Sequence, residues 1–129
     1  DGLAAAGLPC EESLFVEGGF DYASGIAAGE HLLGMPTPPT AIFATNDDMA
    51  LGLLALARRR GLNVPQHLSV VGFDDTPASF TAWPPLTTVR QPLAEMGAAV
   101  IDSLINGPSE PPAFRFELVQ RDSSAPPSP

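Results

Sequence analysis

The stretch from residue 41 to residue 73 leaves this chain few ways to fold. Ala41-Ile42-Phe43-Ala44 is a continuous apolar run, the pattern of a strand buried on both faces. Asn46 follows at once as a good helix N-cap. Asp47 and Asp48 occupy the first turn, where negative charge is favoured. Met49, Leu53, Leu56 and Ala57 then recur at helical spacing as far as Arg60, and Gly61 is the C′ residue. Ser69-Val70-Val71-Gly72-Phe73 is a second buried strand, ending in Asp74-Asp75-Thr76-Pro77. Strand, helix and strand in some 33 residues make a βαβ unit, so the two strands run parallel through a right-handed crossover. The fold class is α/β.

The remaining elements arrange themselves around that unit. Residues 13–17 read as a short strand closed by Gly18-Gly19. Asp21 caps a helix from Tyr22 to Leu33, where Gly25 and Gly29 allow close approach to a sheet. The proline-rich stretch 34–40 is a stiff loop. Leu86 to Arg90 is a strand, and Pro92 at N1 opens a helix to Asn106 with the apolar face Leu93, Met96, Val100 and Leu104. Phe114 to Val119 alternates as a last strand, and residues 123–129 read as a frayed tail.

Composition removes several classes of function. Six basic residues stand against fifteen acidic ones, a net charge of −9, which makes a poor surface for phosphate backbones. The one basic cluster, Arg58-Arg59-Arg60, sits where cations oppose the negative end of a helix dipole. Cys10 is the only cysteine, so no internal disulfide forms and no second thiol supports a metal site. No apolar run approaches the ~20 residues of a membrane span. There is no glycine-rich phosphate loop, no nucleophile elbow and no metal-ligand spacing of His residues. Asp74 and Asp75 are sequence neighbours and do not form the facing carboxylates of a glycosidase. These patterns predict no catalytic residue, no metal and no cofactor. The chain opens without Met inside what reads as a helix end, which points to a piece of a longer protein.

In open parallel sheets, ligands bind beyond the carboxyl ends of the strands. Phe20 with Asp21 and Tyr22 follows the first strand, Thr45 and Asn46 the second, Asp74 and Asp75 the third. An aromatic ring, an amide and a carboxylate on one edge suit a polyhydroxylated ligand, because a carboxylate accepts from two adjacent hydroxyls and an amide both donates and accepts. Spacing leaves other roles open: Asn46 can serve only as a cap, one of the two aspartates can cap the turn at Thr76-Pro77, Phe20 can be core, and Trp83 reads as a buried or interface anchor.

Longer motifs then match a known family. Pro39-Thr40-Ala41-Ile42-Phe43-Ala44-Thr45-Asn46-Asp47-Asp48-Met49-Ala50-Leu51-Gly52 resembles a segment of the lactose-repressor (LacI/GalR) family of bacterial transcriptional regulators. So do Gly61 to Pro65 with Leu68 to Asp75, Pro84 to Pro92 with Met96-Gly97, and Leu118 to Ser124. The motifs are ordered, correctly spaced and cover nearly the whole chain.

The resemblance implies a type I periplasmic-binding-protein-like fold with a small effector, a sugar or nucleobase, held between two lobes. It implies that residues 1–90 form most of the C-terminal lobe, that 91–120 supply a helix and strand of the N-terminal lobe, and that 121–129 return. The first lobe is largely missing. By position, Phe20, Asn46, Asp74 and Gln91 match effector-contacting sites, with Asp75 left as the cap. Leu51, Leu54 and Ala82 fall in the segments that resemble a homodimer interface. A cytoplasmic regulator is expected, reaching operator DNA only through an N-terminal helix-turn-helix that this chain lacks. The alternative is the periplasmic-type sugar-binding protein of a transporter, which has the same fold. With the first lobe missing, the stripe Leu93, Met96, Val100 and Leu104 is expected to be exposed unless another copy covers it.

Overall fold

The structure is a computed structural model and describes residues 2–8, 11–107, 110 and 112–126. After a short helix α1 (Gly2–Ala5) and a 3-10 turn (Glu12–Leu14), α2 spans Tyr22–Leu32 and β1 Ala41–Phe43. Then come α3 (Asp47–Arg59), β2 (Ser69–Val71), α4 (Pro77–Thr81), β3 (Thr88–Arg90), α5 (Leu93–Asn106) and β4 (Glu117–Val119). The βαβ unit is as expected: β1 and β2 pair in parallel with Ile42 opposite Val70, and α3 crosses between them. The sheet extends beyond β2, because Gly72 N donates to Thr87 O and Asp74 N to Val89 O, both at 2.9 Å. β3 also pairs antiparallel with β4, Val89 opposite Leu118.

Both long helices of the unit start on side-chain caps. Asp21 accepts from the Ser24 backbone N–H while the Ser24 hydroxyl accepts from Asp21 N–H, a reciprocal capping box. That backbone bond, followed by the Ser24 side chain, holds the Asp21 carboxyl below the usual carboxylate range. Asn46 caps α3, and Gly61 takes φ 69 just beyond its C-cap Arg60. The core joins Leu53, Leu54 and Ala57 of α3 to Ile42, Val70, Leu68 and Leu86.

Several expectations need correction. Gly25 and Gly29 do approach a neighbour closely, but it is α3 and not a sheet. A Cβ on Gly25 would stand 2.6 Å from Met49 Cα, and one on Gly52 would collide with the Tyr22 carbonyl oxygen. The two glycines form a reciprocal notch that lets the helix backbones meet. Residues 13–17 form no strand: the segment starts as the 3-10 turn, and Val16 packs against the core from an extended stretch with no ladder partner. β1 is buried on one face only, since Ile42 is covered but Phe43 is 58% exposed. Pro92 stands at the N-cap of α5, one position before the expected N1. The last strand is laddered only over Glu117–Val119.

The return segment is not frayed where it is described. Ser123 is fully buried; its hydroxyl donates to Val70 O and accepts from Thr87 N, and Ala125 N donates to Ser69 Oγ at 3.2 Å. A serine-rich end reads as solvated until β2 and β3 offer it backbone partners. Cys10 and residues 127–129 lie outside the described residues. Helix α5 buries no residue: Leu93, Val100 and Leu104 are exposed and Met96 is half-buried.

Candidate functional site

Three loops carry Asn46, Asp74 and Gln91 to one edge of the sheet, after β1, after β2 and after β3, and Phe20 joins them from the segment before α2. Asn46 ends the first. Its Oδ1 accepts from Met49 N at 2.9 Å, which caps α3, and its Nδ2 donates to Phe20 O at 2.9 Å. One amide therefore caps a helix and holds the Phe20 backbone, which sits at φ 59 with its ring 65% exposed. Phe20 is not core.

Asp74 ends the second loop. It takes φ 117, its N–H donates to Val89 O, and its Oδ1 accepts from Gln91 Nε2 at 2.6 Å. The carboxylate at the end of β2 is thus paired with the amide that follows β3. The structure brings Phe20 to Asn46 and Asp74 to Gln91. Among the described residues, no hydrogen bond joins the two pairs. Asp74 and Gln91 remain half-buried, so both groups keep free hydrogen-bonding capacity toward solvent.

Asp75 is not a cap. The N-cap of α4 is Thr76, which makes no side-chain cap bond. Asp75 takes φ 56, and its carboxylate lies between Arg90 Nε at 2.7 Å and the Arg121 guanidinium. Burial alone would raise its pKa; the hydrogen bonds and charges of Arg121 and Arg90 outweigh burial and hold it below the usual carboxylate range. Arg121 also donates to Leu86 O at 2.7 Å and Ser79 Oγ at 3.0 Å. Consecutive positive φ values on two residues other than glycine store backbone strain of about 1–3 kcal/mol each, although aspartate tolerates this region better than most. The ionic contacts below the turn hold it in place.

Two groups escaped sequence reasoning. Asp47 reads as a dipole-compensating residue of the first turn, yet it is fully buried and accepts from Thr76 N, Thr76 Oγ1 and Thr88 Oγ1. Arg121 reads only as part of a terminal motif, and its acid partner lies 46 residues away. Periodicity carries no signal for either, because both depend on which loops the sheet brings together.

Leu54 belongs to the core, while Leu51 and Ala82 are half-buried beside it. The apolar surface of that region is instead Phe80 and Trp83, 70% and 83% exposed, so Trp83 is not buried within its own chain. Two surface depressions of about 610 and 300 Å³ lie elsewhere, one along Met35 to Thr40 and one between Leu62 and Trp83. Neither is lined by Asn46 or Asp74. An enclosed cavity at the strand ends would need an opposing wall. Among the described residues, no group of three or more His, Cys, Asp or Glu is placed to hold a metal, and no helix is long and apolar enough to cross a membrane.

Residues 1–124 match the family model of the periplasmic binding protein-like domain. Catabolite control protein A of Priestia megaterium is 48% identical over 99 residues, which is 77% of this chain and 30% of that protein. Among solved structures, a sugar-binding LacI-family regulator from Escherichia coli, complexed with phosphate, superposes with TM-score 0.86 at 35% identity. The match covers 97% of this chain and 47% of that one. The regulator CelR in complex with cellobiose gives TM-score 0.82 at 36% identity, over 95% of this chain and 39% of that one. The chain spans less than half the length of each of these relatives.

Proposed function

Because the chain belongs to the periplasmic binding protein-like family, in the form found in LacI-family regulators, we propose that it is the effector-sensing and dimerisation part of a LacI-type transcriptional regulator. Its strand ends form one wall of a cleft for a small polyhydroxylated ligand, a sugar in the first instance. Asp74 accepts from ligand hydroxyls, Gln91 and Asn46 donate and accept around it, and the Phe20 ring covers an apolar C–H face. Residues 1–90 then belong to the C-terminal lobe, and 91–120 to the N-terminal lobe. What supports this reading best is the Asp74–Gln91 pair: a half-buried carboxylate and an amide, 2.6 Å apart, at the crossing from β3 to α5. A ligand bridging that crossing favours one lobe orientation over another.

Effector and operator DNA affinities are then linked, each changing the other by the same factor. DNA would be bound by a helix-turn-helix outside these residues, in a cytoplasmic homodimer. Leu51, Leu54 and Ala82 back the dimer surface, with exposed Phe80 and Trp83 beside them. The transporter reading is not favoured, since the relatives found are named as regulators. Those names also give no support to an enzyme.

Calorimetric titration of the intact protein with sugars, cellobiose among them, and with nucleobases tests the proposal. Replacing Asp74 by alanine removes charge-assisted hydrogen bonds worth about 1.5–3 kcal/mol. Affinity for the ligand found is expected to fall by about ten- to a hundredfold. Unchanged affinity in a folded Asp74→Ala protein would remove Asp74 from the site.

A further inference from the structure

Asp47 follows Asn46 directly, in the first turn of α3, and no part of it is exposed. Its neighbour Asp48 is exposed and supplies the helix N-terminus with negative charge equally well. The helix dipole therefore does not explain why Asp47 is buried. Burying a carboxyl group is costly unless donors satisfy it. Here the donors are neutral: Thr76 N at 2.7 Å and Thr76 Oγ1 at 3.1 Å on Oδ2, and Thr88 Oγ1 at 2.6 Å on Oδ1. Among the described residues, no cation forms an ion pair with it.

The positions of those donors are informative. Thr76 directly follows the strained Asp74-Asp75 turn. Thr88 stands in β3, three residues before Gln91. Its hydroxyl donates to Asp47 and accepts from Asp75 N at 3.4 Å, so the network reaches the backbone of the turn itself. Gly72 makes room for this arrangement, because a Cβ there would collide with Asp47 Oδ1. One carboxyl group thus ties together the three segments that carry Asn46, Asp74 and Gln91.

We propose that Asp47 is the positioning residue of the cleft wall, setting the Asp74-Asp75 turn and the start of the β3 crossing relative to Asn46 through Thr76 and Thr88. The proposal rests on the effector-site reading above for its functional meaning, but its test needs no effector. Amide hydrogen exchange and the side-chain amide resonance of Gln91 are followed by NMR in the 129-residue chain. In Asp47→Asn, an amide group replaces one of the two acceptor oxygens. Exchange at Thr76 and Asp75 is expected to accelerate roughly tenfold, the loss of one to two hydrogen bonds, and the Gln91 side-chain resonance to shift. The amides of Ala44, bonded to Val71 O of β2, and of Val70, bonded to Ser123 O of the return segment, keep their protection. Unchanged exchange at Thr76 with an unmoved Gln91 overturns the proposal. So does an equal loss at Ala44 and Val70, which would mean a global structural role.

Should Asp47→Asn fail to fold, Thr88 decides the matter. Thr88→Ser keeps the hydroxyl and should behave like the parent, whereas Thr88→Val should show the local loss at Asp75 and Thr76. Identical behaviour of the two overturns the proposal. If no effector is ever found, these results stand as they are, so the two readings fail separately.

Discussion

Replacing Arg121 by methionine is expected to destabilise the chain by about 3–5 kcal/mol, the cost of breaking a buried ion pair from one side. The side chains of Arg121 and Asp75 are only 14% and 10% exposed. Methionine fills the space of the arginine stem but takes the guanidinium donors away from Asp75, Leu86 O and Ser79 Oγ. Arg90 stays in reach of Asp75, but it is half exposed and screens the carboxylate less well. Urea unfolding measures the loss. Its pH dependence identifies the cause. The Asp75 pKa is lowered in the folded state, so its contribution is present above the ordinary carboxylate pKa and is lost as pH falls through the lowered, folded value. The gap between parent and Arg121→Met should therefore narrow on the acid side of pH 4. A gap that stays constant down to the acid transition would mean that packing, and not charge, holds Arg121 in place.

Gly25→Ala and Gly52→Ala should cost stability on the same scale. A helix interior normally gains about 1 kcal/mol when alanine replaces glycine. Here each added methyl meets backbone: Met49 in one case, Tyr22 O in the other. A side chain can rotate away from a methyl group, but backbone can yield only if α2 and α3 separate. The cost should reach or exceed the upper end of ordinary overpacking, about 3 kcal/mol. Gly97 in α5 is the control, since nothing lies within 4 Å of a Cβ placed there. Gly97→Ala should raise the thermal midpoint slightly while the other two lower it by many degrees. If all three behaved alike, the helix notch would not exist as described.

What the amino-acid sequence made legible follows a physical line. The βαβ unit, the caps Asp21 and Asn46 and the C′ glycine are local: neighbouring residues carry the signal, and the elements fall within a residue or two of expectation. Long-range partners were not legible. The same glycine spacing that allows approach to a sheet allows approach to a helix, and only the packing of α2 on α3 decides. A short apolar run is a strand only if a partner lies beside it, which Val16 lacks and Val70 has. Ser123 and Asp47 are polar residues whose burial depends on hydrogen-bond partners more than 25 residues away in the chain. At the site, strand-end position and the family motifs together singled out Phe20, Asn46, Asp74 and Gln91. They did not reveal how these residues pair, or that Asp75 belongs with Arg121 beneath the turn.

The structure of the intact protein, crystallised with the ligand that the calorimetric screen identifies, tests the central claim most directly. A ligand is expected between the lobes, with hydroxyls on Asp74 and its polar groups within reach of Asn46 and Gln91. The Phe20 ring should lie against its apolar face. A ligand seated away from these four residues, with the Asp74–Gln91 bond undisturbed, would contradict it.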